Sequence, residues 1–132
     1  MTSQCISHIP ISDAVPFDRY HITLSGVLSD NDVKEVMTNI SAIYNRKKPF
    51  AILYDIVDML GLPISRMKEL ATFMKEHEKL ALEYMRYCVV ATESYKARLL
   101  LHALFRLCPP VIHCPVLTRS EAISYMGGFI NI

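Results

Sequence analysis

The chain predicts an α/β sandwich: a mixed sheet of about five strands covered by about four helices. Three apolar runs predict it. Phe50-Ala51-Ile52-Leu53-Tyr54-Asp55-Ile56-Val57 is nearly unbroken and is followed by Asp58 and a long helical pattern, as expected of a central strand covered on both faces. Residues 87–92 and 111–117 repeat that apolar character, each placed next to a segment of helical periodicity.

The elements can be justified in order. Residues 4–12 alternate briefly around Pro10, which suits an edge strand or an irregular arm. From Arg19 to Leu28 the alternation is cleaner. Tyr20, Ile22 and Leu24 share one side and His21, Thr23 and Ser25 the other, so only one face of this strand should be dry. Ser29 or Asp30 then caps a helix, with Asp32 in its first turn complementing the helix dipole. Val33, Val36, Met37, Ile40, Ile43 and Tyr44 supply its apolar stripe, and Pro49 ends it before the central strand.

Gly61-Leu62-Pro63 turns the chain into a second helix that should run as far as Met85. Met67, Ala71, Met74, Ala81 and Met85 form one stripe, with Leu70, Phe73, His77, Leu80 and Tyr84 beside it. On a helical wheel these cover roughly half the circumference, where about a third is enough to cover a sheet. The surplus packs on a neighbouring helix or meets another protein, which makes Phe73, His77, Leu80 and Tyr84 candidate interface residues. The third helix, residues 95–107, turns Ala97, Leu100, Leu101, Leu104, Phe105 and Leu107 inward. That leaves Arg98, His102 and Arg106 in a line with no acidic residue on the same helix. The stripe is a second candidate interface, facing an anionic partner or carboxylates from a neighbouring helix such as Glu69, Glu76 or Glu83. Pro115 places the last strand at a sheet edge. Ser120 then caps a short closing helix that stops at Gly127-Gly128.

At 132 residues the chain, 1–132, is a single domain large enough to bury a core without disulfides or metal. A formal charge of +1 and an apolar fraction of 52% exclude disorder and a global field that would draw nucleic acid. No charged, apolar leader is visible, and the apolar stretch 99–117 is broken by His102, Arg106, Pro109 and Pro110, so no transmembrane segment is expected. Cys5, Cys88, Cys108 and Cys114 make no CxxC pair. They read as small hydrophobes of a reducing, cytoplasmic environment, with neither metal nor cofactor implied.

The order of these elements resembles the STAS domain (sulfate transporter and anti-sigma-factor antagonist), in its single-domain SpoIIAA-like branch. The likeness is carried by Ala51-Ile52-Leu53-Tyr54-Asp55-Ile56 before the long helix, Cys88-Val89-Val90-Ala91-Thr92 before the third, and the closing Ser120-Glu121-Ala122-Ile123-Ser124-Tyr125-Met126. It implies a non-enzymatic regulatory module that binds a partner protein, with a homodimer among the expected assemblies. In that family a Ser or Thr after the central strand is phosphorylated and the choice of partner changes. Here the segment reads Asp58-Met59-Leu60-Gly61-Leu62-Pro63-Ile64-Ser65, so Asp58, Gly61 and Ser65 form the candidate phosphoswitch turn. Ser65 lacks the Asp and Gly that adjoin the family's hydroxyl. The neighbouring CRAL-TRIO branch implies the alternative, a carrier or sensor of a small apolar or anionic ligand, for which Met59, Met67, Met74 and Met85 would suit an adaptable pocket.

Enzymatic chemistry has little support. Asp58 with Glu93 would supply paired carboxylates if their strands were neighbours, and Ser94 at a helix N-terminus is a candidate anion site. Residues at that sheet edge, which include Asp55, Thr92, Thr118 and Arg119, more commonly cap helices. His8, His21, His77, His102 and His113 contain no i, i+4 pair of the kind a zinc helix uses. No catalytic residue is expected.

Overall fold

Unbroken apolar runs settle the central strands, and alternation of apolar side chains settles the strand before them. In the computed structural model, which describes residues 3–9, 15–27, 29–61 and 64–126, β1 (Ser3–Ile9), β2 (Asp18–Val27), β3 (Phe50–Gly61), β4 (Met85–Thr92) and β5 (Val116–Leu117) form one sheet in chain order. β1 is antiparallel to β2, and the other neighbours are parallel. The architecture is the expected mixed five-stranded α/β sandwich. β3 lies at its centre, with Ala51, Ile52 and Leu53 wholly inaccessible to solvent.

The two faces differ. Tyr20, Ile22 and Leu24 of β2, Phe50, Ile52 and Ile56 of β3, and Cys88 and Val90 of β4 point to one side. There they meet α1 (Asp30–Asn45), α2 (Ile64–Glu76), α3 (Glu78–Tyr84) and α4 (Tyr95–Leu107). The opposite side carries a smaller cluster of Leu53, Val89 and Ala91 under Ala122 of α5 (Arg119–Met126). Right-handed crossovers explain the asymmetry. When parallel strands are laid down in chain order, every connecting helix falls on the same face, and only the helix after the last strand is free to cover the other.

Several boundaries differ from the sequence reading. β3 continues to Gly61, so Asp58 and Gly61 belong to strand backbone rather than to a turn. The ladder with β2 skips Val57 and Leu60, and the positive φ of Gly26 sits beside these irregularities, where a side chain would be disfavoured. The expected long helix is broken in two. His77 leaves helical geometry, with φ −104° and ψ 10°, and Met85 opens β4 instead of closing a helix. Among the described residues five helices result, where about four were expected. The last strand shrinks from residues 111–117 to Val116–Leu117, leaving Pro115 outside it, although the Pro115 carbonyl accepts the Val90 N–H at 2.9 Å. β1 ends at Ile9, and Pro10 lies outside the described residues.

Two polar devices fix α1. At its N-terminus Ser29 and Asp32 form a reciprocal capping box, the Ser29 oxygen accepting the Asp32 N–H and the Asp32 carboxylate accepting the Ser29 N–H at 2.8 Å. At its C-terminus Arg46 donates to the Tyr20 hydroxyl and approaches buried Asp18 at 3.8 Å. Asp18 also meets His8 of β1 at 3.0 Å, and the His8 ring stacks on Tyr20. These contacts tie the edge strand, β2 and the helix end together.

Ser29→Ala should cost about 1 kcal/mol in urea denaturation, because one side of the capping box is lost. An alkaline limb is expected too. Burial raises the Tyr44 and Tyr54 phenols, and the Cys114 sulfur together with burial raises the Cys88 thiol. With folded values above unfolded ones, this stabilisation is complete below about pH 8.5 and is lost as pH climbs through the folded values. Stability measured from pH 8 to 11 should therefore fall, and Tyr44→Phe should flatten the decline.

Candidate functional site

The residues expected at the C-terminal edge of the sheet are mostly occupied with ending strands and starting helices. The Ser94 oxygen accepts the Ala97 N–H at 3.2 Å as N-cap of α4. Thr92 accepts the Ser94 N–H at 3.1 Å. Glu93 accepts the backbone N–H of Arg119 at 2.9 Å, which anchors the start of α5 to the end of β4. The cap of α5 is Thr118 rather than Ser120. Its N–H donates to the Glu121 carboxylate at 2.9 Å, and its hydroxyl oxygen accepts the Glu121 N–H at 3.3 Å. These bonds, with the charge of Arg98 adding a smaller effect, hold the Glu121 carboxyl below its ordinary value. The side chains of Asp58 and Ser65 lie outside the described residues; the backbone of Ser65 sits in the first turn of α2.

The surplus apolar arc of the second helical region packs inside the molecule. The His77 ring lies between Phe73 and Tyr44 of α1, with centroids 4.2 and 5.2 Å away. Its Nδ1 donates to the Phe73 carbonyl at 2.8 Å, which leaves Nε2 to accept from the Ser41 hydroxyl at 3.4 Å. Leu80 and Tyr84 are half-buried against the main core. The expected contact surface at Phe73, His77, Leu80 and Tyr84 is thus largely a helix–helix seam. Helices and sheet border a partly open apolar cavity of 190 Å³, lined among others by Ile40, Tyr54, Met74, Cys88, Leu104 and Cys114. Of the expected Met stripe, Met74 and Met85 reach this cavity and Met67 is buried.

The α4 stripe is divided. Arg98 is half-buried near Glu121, so a carboxylate of α5 stands beside it. His102 and Arg106 remain exposed, and beside them stand Tyr95, Leu99 and Leu107, 75%, 51% and 57% exposed. Leu107 was expected to face inward and does not. One helix therefore presents three large apolar side chains and three basic ones, Lys96, His102 and Arg106, to solvent, and it contains no acidic residue.

One cluster was not anticipated. On the thinly covered face, buried Asp55 accepts from His21 Nε2 at 3.1 Å and lies 3.5 Å from Arg119 of α5. The parallel register, Thr23 opposite Asp55 and His21 opposite Leu53, makes His21 and Asp55 diagonal neighbours on one face. All three residues were visible as polar groups on apolar elements; only the strand register brings them together. Among the described residues no group of His, Cys, Asp and Glu has the arrangement of a metal site, and no helix is long and apolar enough to cross a membrane.

No family model matches the chain, and no curated protein matches its sequence. Among solved structures it aligns with an anti-sigma factor antagonist from Mycobacterium paratuberculosis, at 17% identity and a TM-score of 0.54. The alignment covers 95% of this chain and 93% of that one.

The fold is STAS-like. At that identity the likeness establishes architecture, and the side chains that carry function have to be argued from this chain.

Within the STAS-like sheet, Asp55 is a buried carboxylate held by two partners. Asp55→Asn should destabilise the protein by about 1.5–3 kcal/mol, the usual range for hydrogen bonds to charged groups. Arg119→Ala should cost less than about 1 kcal/mol, since the Arg119 side chain is 47% exposed and recovers hydration. Chemical denaturation of the two variants checks that ranking.

Proposed function

We propose that the chain is a cytoplasmic, non-enzymatic regulatory module of the STAS type that acts by binding a partner protein through the outer face of α4. The observation carrying this reading is the exposed row Tyr95, Leu99, His102, Arg106 and Leu107 on a helix with no carboxylate of its own. Aromatic and arginine side chains make good contact surface, and basic side chains on a helix without acidic residues favour a partner with an acidic rim. The related fold of an anti-sigma factor antagonist supports the same class of role. Ser65, in the first turn of α2, is the proposed phosphorylation point, where a phosphate would meet free backbone N–H groups. A second copy of the chain is an alternative occupant of the α4 face.

A second reading rests on the cavity. Its lining is almost wholly apolar, so a small hydrophobic ligand suits it. Its volume of 190 Å³ is below the roughly 300–1,000 Å³ of ordinary small-molecule sites, which favours the first reading.

Native mass spectrometry of protein isolated gently from its host separates the two. A complex with a second polypeptide supports the regulatory module, whereas a bound compound of a few hundred daltons on an otherwise bare domain supports the carrier. Leu99→Glu combined with Arg106→Glu should leave stability within about 0.5 kcal/mol of the parent, because both sites are exposed, and should weaken the complex at least tenfold. An unchanged affinity would remove α4 as the docking face. Tandem mass spectrometry of the same material tests Ser65; a residue always unmodified there counts against the phosphoswitch.

A further inference from the structure

Cys88 and Cys114 bring their sulfur atoms to 2.9 Å from one another inside the protein. That is within about 1 Å of the ~2.05 Å of a covalent S–S bond. Their placement has a structural cause. β4 and β5 are parallel with Val90 opposite Val116, and the Val90 N–H bonds to the Pro115 carbonyl at 2.9 Å. Counting back two places on each strand sets Cys88 opposite Cys114, with both side chains on the helix-covered face of the sheet. Both residues border the 190 Å³ cavity, which gives a small molecule a route to the pair.

We propose that Cys88 and Cys114 are a reversible disulfide-forming pair, reduced at rest and closed by a peroxide. The sulfur that loses its proton attacks one peroxide oxygen, the O–O bond breaks and a sulfenic acid forms. The second thiol then attacks that sulfur, and the sulfenic oxygen leaves as water. In total two thiols and one hydrogen peroxide give one disulfide and two waters, the two thiols losing two electrons. A low-molecular-weight thiol reopens the bond by exchange.

The consequence is mechanical. β5 is two residues long and holds to the sheet through two paired positions, and α5 follows it directly. A bond between residues 26 apart in sequence staples this edge to β4. With the thiol at Cys88 held protonated by its neighbour and by burial, its attack on peroxide is slow, and without an oxidant the bond does not form. The inference is independent of what α4 binds.

The full chain is treated with hydrogen peroxide, or with dithiothreitol as control, then denatured, alkylated, digested and mapped by mass spectrometry. The expected product is a Cys88–Cys114 cross-linked peptide with a 2 Da loss, which dithiothreitol reverses. Closing a loop of this length should raise Tm by about 10 °C over the reduced protein. Cys108→Ser should retain both effects, and Cys88→Ser and Cys114→Ser should lose both. Free thiols at both positions after oxidation, overoxidation at one of them, or a bond to Cys108 would overturn the assignment. Because the mapping is done on the parent protein, a serine variant that fails to fold leaves the test intact. A Cys88–Cys114 bond that leaves Tm unchanged would overturn the stapling role.

Discussion

Handedness governs this molecule more than any single contact. Strands β2 to β5 run parallel in chain order, so each right-handed crossover returns on the same side of the sheet. That rule gathers four helices on one face and leaves the other to α5. The crowded face receives Tyr20, Ile22, Leu24, Phe50, Ile52 and Ile56, together with the aromatic seam between α1 and α2. The thin face receives the polar side of β2. His21 and Thr23 are tolerated there because no helical layer from the crossovers presses on them, and Asp55 is tolerated because His21 and Arg119 satisfy it.

The amphipathic pattern of β2 already stated this asymmetry, since an evenly sandwiched strand would read apolar on both sides. The limits of α4 and the Ser29 cap were equally legible, because each depends on a few adjacent residues: Ser94 before Tyr95, Cys108-Pro109 after Leu107, and Asp32 three places beyond Ser29. The break at His77 was not legible. It depends on a ring held between Phe73 and Tyr44, and Tyr44 belongs to a helix more than thirty positions earlier. The pairing of His21 with Asp55, and of Cys88 with Cys114, failed for the same reason. Each is set by register between strands, which local periodicity does not contain. The cap of α5 went to Thr118 because β5 ends at Leu117, and that boundary also follows from pairing with β4.

The cavity belongs to the same geometry. Three crossover segments of different length must share one sheet face, and the middle one is bent at His77 to fit against α1. Cores normally pack to crystal-like density, so a 190 Å³ space lined by leucine, methionine and aromatic side chains marks where those helices fail to meet. Met74 and Met85 at its wall are flexible enough to adapt to its shape. The buried thiols sit at its wall, on the strand that faces that space.

The proposed docking face has a definite scale. Tyr95, Leu99 and Leu107 together expose roughly 300–400 Å² if a large side chain offers about 150–250 Å². A standard stable interface covers about 800 Å² per partner. The α4 row is therefore sufficient as the anchor of an interface and insufficient as the whole of one. Binding confined to this helix would be weak and readily reversed. Tighter binding needs a partner that also reaches the residues flanking α4, where Val111 is exposed at its C-terminal side and Ser94 and Glu93 stand at its N-terminal side.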